Sequence, residues 1–245
     1  MNILVCVSAV PDTTTKITFV DNNTKFNTEG VQFIINPYDE LALTRALELT
    51  EANGGEVTVI TVGDASTEPV IRKALAIGAQ KAIRVNTVPL DGMHVAKLIA
   101  NAIEGDSYDL ILTGRESIDY NGGQVAGILS ELLNTALINV VTSIDVAGNT
   151  VTAVRDIDGG RETVSADLPC VLSAQKDLCT PRIPNMRGIM QSRTKPLNVV
   201  EPTSEYADTS YDSYELPPAK EGVRLIDAAN AGELIDLLRS EKKLI

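Results

Sequence analysis

Tryptophan is absent from this chain, aromatic residues make up 4% of it, and one histidine, His94, stands among 245 residues. So few aromatics leave no stacking platform for single-stranded nucleic acid. A single histidine on a stretch of helical periodicity reads as a packing or surface residue rather than an acid–base catalyst. The three cysteines, Cys6, Cys170 and Cys179, are odd in number and far apart. They form neither a disulfide framework nor a metal-ligand pattern, so no metal site is expected. Cys6 and Cys170 lie in apolar runs and read as core. Positive charge is also scarce, with 21 Lys and Arg against 33 Asp and Glu and a net charge of −12. That balance argues against nucleic acid, whose phosphates demand basic clusters, and against anionic membrane surfaces.

Other devices are missing. No apolar run approaches the length of a membrane span, so no membrane insertion is expected. The strand-like run Ile3-Leu4-Val5-Cys6-Val7 follows Met1 and Asn2 with no basic segment of a secretory peptide, and the expected location is the cytoplasm. Gly-x-Gly-x-x-Gly, a Walker lysine, a Gly-x-Ser-x-Gly elbow and an acid–base pair of carboxylates are all lacking. No catalytic residue can be nominated, and the chain reads as a binder or carrier rather than an enzyme.

What is present is alternation. Strand-like runs at 3–8, 56–62, 82–85 and 108–113 are separated by helical patterns starting near 37, 70, 91 and 125. Strand–helix alternation predicts a parallel sheet with helices on both faces and right-handed crossovers. A small hairpin is expected at 17–20 and 25–27 around Asp21-Asn22-Asn23. Asn36 or Asp39 is placed to cap the helix after Pro37. Beyond residue 135 four short strands follow, the middle ones split by Gly148-Asn149 and Asp158-Gly159-Gly160, as in hairpins. Residues 176–197, rich in Pro, Arg and Lys, read as a structured exposed loop. Residues 201–221 hold six acids and almost no large aliphatics, which reads as an extended arm. An amphipathic helix over 228–239 closes the chain. The division is thus an α/β unit over 1–200 and an arm with a terminal helix over 201–245, the latter expected to dock on a partner.

The run from Tyr108 to Gln124 carries most of the functional signal. Leu110, Ile111 and Leu112 make a short buried strand, Gly114 breaks it, and Val125, Ile128, Leu129 and Leu132 recur at helical spacing. The polar loop between them sits at a strand's carboxyl end and points into a helix N-terminus, which suits an anion. The loops after the first and second strands converge on the same edge, where open parallel sheets bind ligands. Asn36 and Asp39 are placed to bond a base or ribose, and Gly122 and Gly123 to bring N–H groups to a phosphate.

In this setting several segments resemble the beta subunits of electron transfer flavoproteins. They are Leu4-Val5-Cys6-Val7 with Val10-Pro11-Asp12, Ile35-Asn36-Pro37-Tyr38-Asp39-Glu40, and Arg72-Lys73-Ala74-Leu75-Ala76-Ile77-Gly78-Ala79. Gly114-Arg115-Glu116-Ser117-Ile118-Asp119, Arg155-Asp156-Ile157-Asp158-Gly159-Gly160 and Pro181-Arg182-Ile183-Pro184-Asn185-Met186-Arg187-Gly188-Ile189-Met190 follow in the same order. The resemblance implies a three-layer α/β/α nucleotide-binding fold of the adenine nucleotide hydrolase-like type, with added antiparallel strands and a C-terminal arm. It implies a heterodimer with an alpha subunit that holds the working FAD. The resemblance implies that the pair takes electrons from flavin dehydrogenases of the acyl-CoA type and passes them to a downstream acceptor. A structural AMP is implied in this chain, with contacts mapping onto Cys6, Asn36, Pro37, Tyr38, Asp39, Val62, Gly114, Arg115, Glu116, Ser117, Asn121, Gly122, Gly123, Gln124 and Val125. Bifurcating relatives bind a second FAD there, and a stand-alone adenine-nucleotide-binding protein is the remaining alternative. The segment 178–193 matches the family's recognition loop, with Arg182, Ile183, Pro184, Met186, Arg187, Ile189 and Met190 expected to grip the dehydrogenase. Met186 stands at the apolar anchor, ringed by Arg182, Arg187 and Arg193.

Overall fold

The first strand, β1 (Asn2–Cys6), is buried along all but its first residue, and its side chains divide between two cores. In this computed structural model, which describes residues 1–203, 207–220 and 222–245, Ile3 and Val5 face one core and Leu4 and Cys6 the other. A strand covered on both faces has no polar side, which is why its sequence runs apolar instead of alternating.

After β1 the chain forms β2 (Ala9–Pro11), the hairpin of β3 (Phe19–Val20) and β4 (Lys25–Phe26), and β5 (Phe33–Ile35), which pairs back on β2. Asp21, Asn22 and Asn23 all take positive φ, the conformation that short polar side chains tolerate best. Then α1 (Pro37–Asn53), β6 (Glu56–Val62), α2 (Glu68–Ile77), β7 (Lys81–Val85), α3 (Gly92–Ala102), β8 (Leu110–Gly114) and α4 (Val125–Leu132) complete the alternating part. The helices α1 and α2 cover one face of the sheet, and α3 and α4 the other.

The second part adds β9 (Ala136–Ala147), β10 (Thr150–Ile157), β11 (Gly160–Asp167) and β12 (Cys170–Ala174), then α5 (Met186–Ser192) and β13 (Leu197–Val200). The nine strands of the main sheet lie in the order β11-β10-β9-β12-β8-β1-β6-β7-β13. All neighbours are parallel except the two pairs β9–β10 and β10–β11, which form the expected hairpins. The short strand β12 is not part of that meander; it slots in parallel between β8 and β9. A bulge in β9 puts Val140 at φ 62, with its N–H donating to Ser173 Oγ of β12 at 2.9 Å.

Two parts of the chain differ from what the sequence suggested. Residues 176–197 are not wholly loop, because α5 forms there, its start capped by Asn185, whose side chain accepts the Gly188 N–H at 2.8 Å. The arm also returns partly to its own domain. Asn101 Nδ2 donates to Thr203, the N–H groups of Asp208 and Thr209 donate to Asp91 at 2.8 Å each, and the Tyr214 ring stacks on Phe19. Beyond that point the described residues are mostly exposed, and the chain ends in α6 (Ala231–Ser240), which has no buried residue.

Candidate functional site

The order of the sheet decides where a ligand can enter. From β1 the chain moves to β6 and β7 on one side, then crosses back to β8 on the other side of β1. The loops leaving β1 and β8 therefore diverge, and a crevice opens at their carboxyl ends.

Two buried side chains hold that crevice in shape. Asp39 is 3% exposed, and its carboxylate accepts the Ser8 N–H at 2.7 Å, the Gly114 N–H at 2.9 Å and Asn36 Nδ2 at 3.0 Å. Asn36, 1% exposed, also donates to the Glu116 carbonyl at 2.8 Å and accepts the Ile118 N–H at 3.3 Å. One turn of α1 thus ties together the loops after β1 and β8. Asn36 occupies the cap position, but its side chain does not cap the helix. Both of its amide protons go to protein acceptors, so this pair shapes the cleft before it offers anything to a ligand. Burial pushes the Asp39 carboxyl up to about 7, outweighing the Ser8, Asn36 and Gly114 donors that favour the carboxylate.

Glycine is required at Gly114 by contact. A Cβ there would lie 2.2 Å from Asp39 Oδ1 and 2.7 Å from Tyr38 Cβ. Further along the same loop, Ser117 N–H donates to the Gly122 carbonyl at 3.0 Å, and Asn121 turns the corner at φ 55. A Cβ on Gly122 would strike the Tyr120 ring at 2.0 Å.

The resulting cleft measures about 130 Å³. Of the residues nominated from sequence, Cys6, Asn36, Asp39, Val62, Gly114, Arg115, Glu116, Ser117, Gly122, Gly123 and Val125 line it. Pro37, Tyr38, Asn121 and Gln124 do not: Pro37 opens α1, Tyr38 packs on the core, Asn121 makes the turn, and Gln124 lies against Gly92. The structure adds Ser8, Ile60, Thr67, Thr113 and Tyr120, and brings Val95 and Ile99 of α3 to the apolar side. Val95 and Ile99 carry the ordinary four-residue spacing of a core-facing helix, so nothing in sequence marks them as lining.

The cleft has an apolar side and a polar side. Cys6, Ile60, Val62, Val95, Ile99 and Ala126 make the first. Hydroxyls, the Arg115 guanidinium and the start of α4 make the second, and no side chain caps α4. Uncapped N–H groups at a helix start suit an anion. The Cys6 thiol is pushed strongly up by burial and by nearby Asp39, which keeps it neutral. Among the described residues no group of three His, Cys, Asp or Glu is arranged to hold a metal, and no helix is long and apolar enough to cross a membrane.

A second surface lies on α5, and none of the residues nominated for partner recognition lines the cleft. Ile183 is 91% exposed, Met186 72% and Met190 69%, with Ile189 beside them. Pro184 is half-buried and Arg187 exposed. Arg182 is not a free member of a basic ring. Its guanidinium forms a two-pronged pair with Glu51, both bonds at 2.6 Å.

The fold and cleft together define a doubly wound α/β protein with a crevice at the switch point of a largely parallel sheet. The model of the electron transfer flavoprotein domain matches residues 23–205. The chain is 36% identical to electron transfer flavoprotein subunit beta of Bacillus subtilis (strain 168) over 259 aligned residues, covering 100% of both chains. It is 34% identical to the subunit beta of Syntrophomonas wolfei over 93% of this chain and 90% of that one. Identity to the mitochondrial subunit beta of Oryza sativa subsp. indica is 32%, with 100% of both covered. The chain belongs to the electron transfer flavoprotein family, on the beta-subunit side.

Proposed function

We propose that this chain pairs with an FAD-carrying alpha subunit, holds a structural AMP in the switch-point cleft, and presents α5 to flavin dehydrogenases of the acyl-CoA type. The observation that carries the nucleotide reading is the Asn36–Asp39 network, which ties the loops after β1 and β8 to the start of α1 around a cleft apolar on one side and polar on the other. The donor set suits AMP. Ile60, Val62, Val95 and Ile99 would flank the purine, the hydroxyls of Ser8, Thr113 and Ser117 would meet ribose or phosphate oxygens, and Arg115 with the α4 N–H groups would meet the phosphate.

The FAD, held mainly by the alpha subunit, supplies the electron-accepting chemistry. This chain moves no proton and makes no bond; it binds, orients and docks. The uncovered apolar side chains of α6, Leu234 and Ile235, support docking on a partner subunit. Purified heterodimer should release one AMP and one FAD on denaturation, read by mass and absorbance. Two FAD and no AMP would overturn the AMP assignment. A colourless monomer that hydrolyses ATP would overturn the carrier reading.

A further inference from the structure

The exposed methionines of α5 are useful to a partner only if the helix points in a fixed direction. Seven residues are too few to hold a helix by themselves. The opposite face of α5 shows how it is held. Gly188 and Ser192, four residues apart, turn toward α2, while Met186 and Met190 turn away. A Cβ on Gly188 would lie 2.3 Å from the Ala76 carbonyl oxygen of α2, so the two backbones touch at that point.

Two cations then bind the helices end to end. Lys195 Nζ, three residues past α5, donates to the carbonyls of Leu75 at 2.7 Å and Ala79 at 2.6 Å, at the C-terminal end of α2. Arg72, within α2, donates to the carbonyls of Ser192 at 2.9 Å and Lys195 at 3.0 Å, just where α5 ends. Each segment supplies a cation to carbonyl oxygens that the other leaves open, at the negative end of its helix. Glu68 keeps Arg72 aimed, with Nε to Oε1 at 3.1 Å.

We infer that Gly188, Lys195 and Arg72 are positioning residues for dehydrogenase docking: they fix α5 against α2 so that Met186 and Met190 face the partner together. This rests on the reading of α5 as the docking element. The geometry separates docking from assembly, because the clamp touches neither the nucleotide cleft nor α6.

The test uses the intact heterodimer and an acyl-CoA dehydrogenase reduced by its acyl-CoA, following flavin bleaching as the heterodimer concentration is varied. Gly188→Ala and Lys195→Met should each raise the KM for the heterodimer about tenfold, the effect of misplacing one anchor. The kcat and the AMP and FAD content should stay near wild type, because the clamp lies outside the nucleotide cleft. Lys195→Arg should recover most of the loss. Amide exchange over 186–192 should be fast in Lys195→Met and slow in wild type. If Gly188→Ala does not assemble, the Lys195 pair decides alone. Met186→Ala serves as the control on the underlying reading: an unchanged KM there means α5 is not the docking element. A raised KM in Met186→Ala with unchanged KM in Gly188→Ala and Lys195→Met refutes the clamp.

Discussion

Replacing Gly114 with Ala adds one methyl group at the point where the cleft is assembled. The added carbon would lie 2.2 Å from Asp39 Oδ1, 2.7 Å from Tyr38 Cβ and 3.0 Å from Asn36 Nδ2. None of these is the free end of a flexible side chain, since Asn36 and Asp39 are buried and bonded on every side. Either Asp39 swings away from the Gly114 N–H and Asn36, or the loop after β8 backs out. Overpacking costs about 1–3 kcal/mol, and stranding a buried donor costs about 1–3 kcal/mol more. About 4 kcal/mol is expected, which lowers the melting temperature of a chain this size by roughly 10 °C. The sign is informative. Gly114 does not take positive φ, so with open space around it Ala would stabilise by about 0.4–1 kcal/mol through the unfolded state. Differential scanning fluorimetry of the heterodimer, with and without added AMP, and nucleotide extraction are the assays. AMP content should fall with stability, and excess AMP should recover part of the melting temperature by mass action. A Gly114→Ala protein that melts within about 2 °C of wild type, with full AMP content, refutes the account of the cleft.

Three further outcomes are expected. Asp39, at about 7 in the folded chain against 3.8 unfolded, binds its proton more tightly when folded. Its contribution to stability is therefore present below pH 4 and lost as pH rises through 7, by up to about 4 kcal/mol. Asp39→Asn should lack that slope in denaturation curves taken between pH 4 and 8, and a wild-type chain that gains on Asn over this range would reverse the argument. Native protein should react with iodoacetamide at half-buried Cys179 before buried Cys6 and Cys170, all three thiols being raised by burial; equal labelling of Cys6 before unfolding would contradict its place on the cleft floor. The double change Leu234→Asp with Ile235→Asp should weaken pairing with the alpha subunit at least tenfold in an ultracentrifugation titration. It should leave this chain's own melting unchanged, because α6 buries nothing in its own chain.

Much of the fold was legible because its signals are local. Glu56–Val62 reads as a strand from its β-branched alternation and is one. The stops at Gly54 and Gly78 end α1 and α2 where the sequence places them. Asp21-Asn22-Asn23 announces its turn by chemistry that the backbone then uses. The helix α5 was hidden for a local reason of its own. Pro181, Pro184, Gly188 and Pro196 interrupt every long window, and α5 is held by Arg72 from a distant segment and by the reach of Lys195 to the carbonyls of α2 rather than by its own propensity.

The cleft divides along the same line. That the loop 114–124 and the Asn36–Asp39 turn meet at one edge of the sheet could be read from a strand ending in glycine before a helix start. What Asn36 and Asp39 do there could not. Their partners, Ser8, Gly114, Glu116 and Ile118, lie up to 82 residues away. The same holds for Arg182, whose charge looks free in sequence and is paired with Glu51 at a separation of 131 residues. The sequence by itself determined the alternation of strands and helices, the apolar runs that must be covered on both faces, and the family. Only the tertiary structure decided which polar atoms remain free for a ligand or partner. Hydrogen bonds and ion pairs are claimed by whatever lies within about 3 Å, and in a parallel sheet with crossovers those neighbours come from distant parts of the chain.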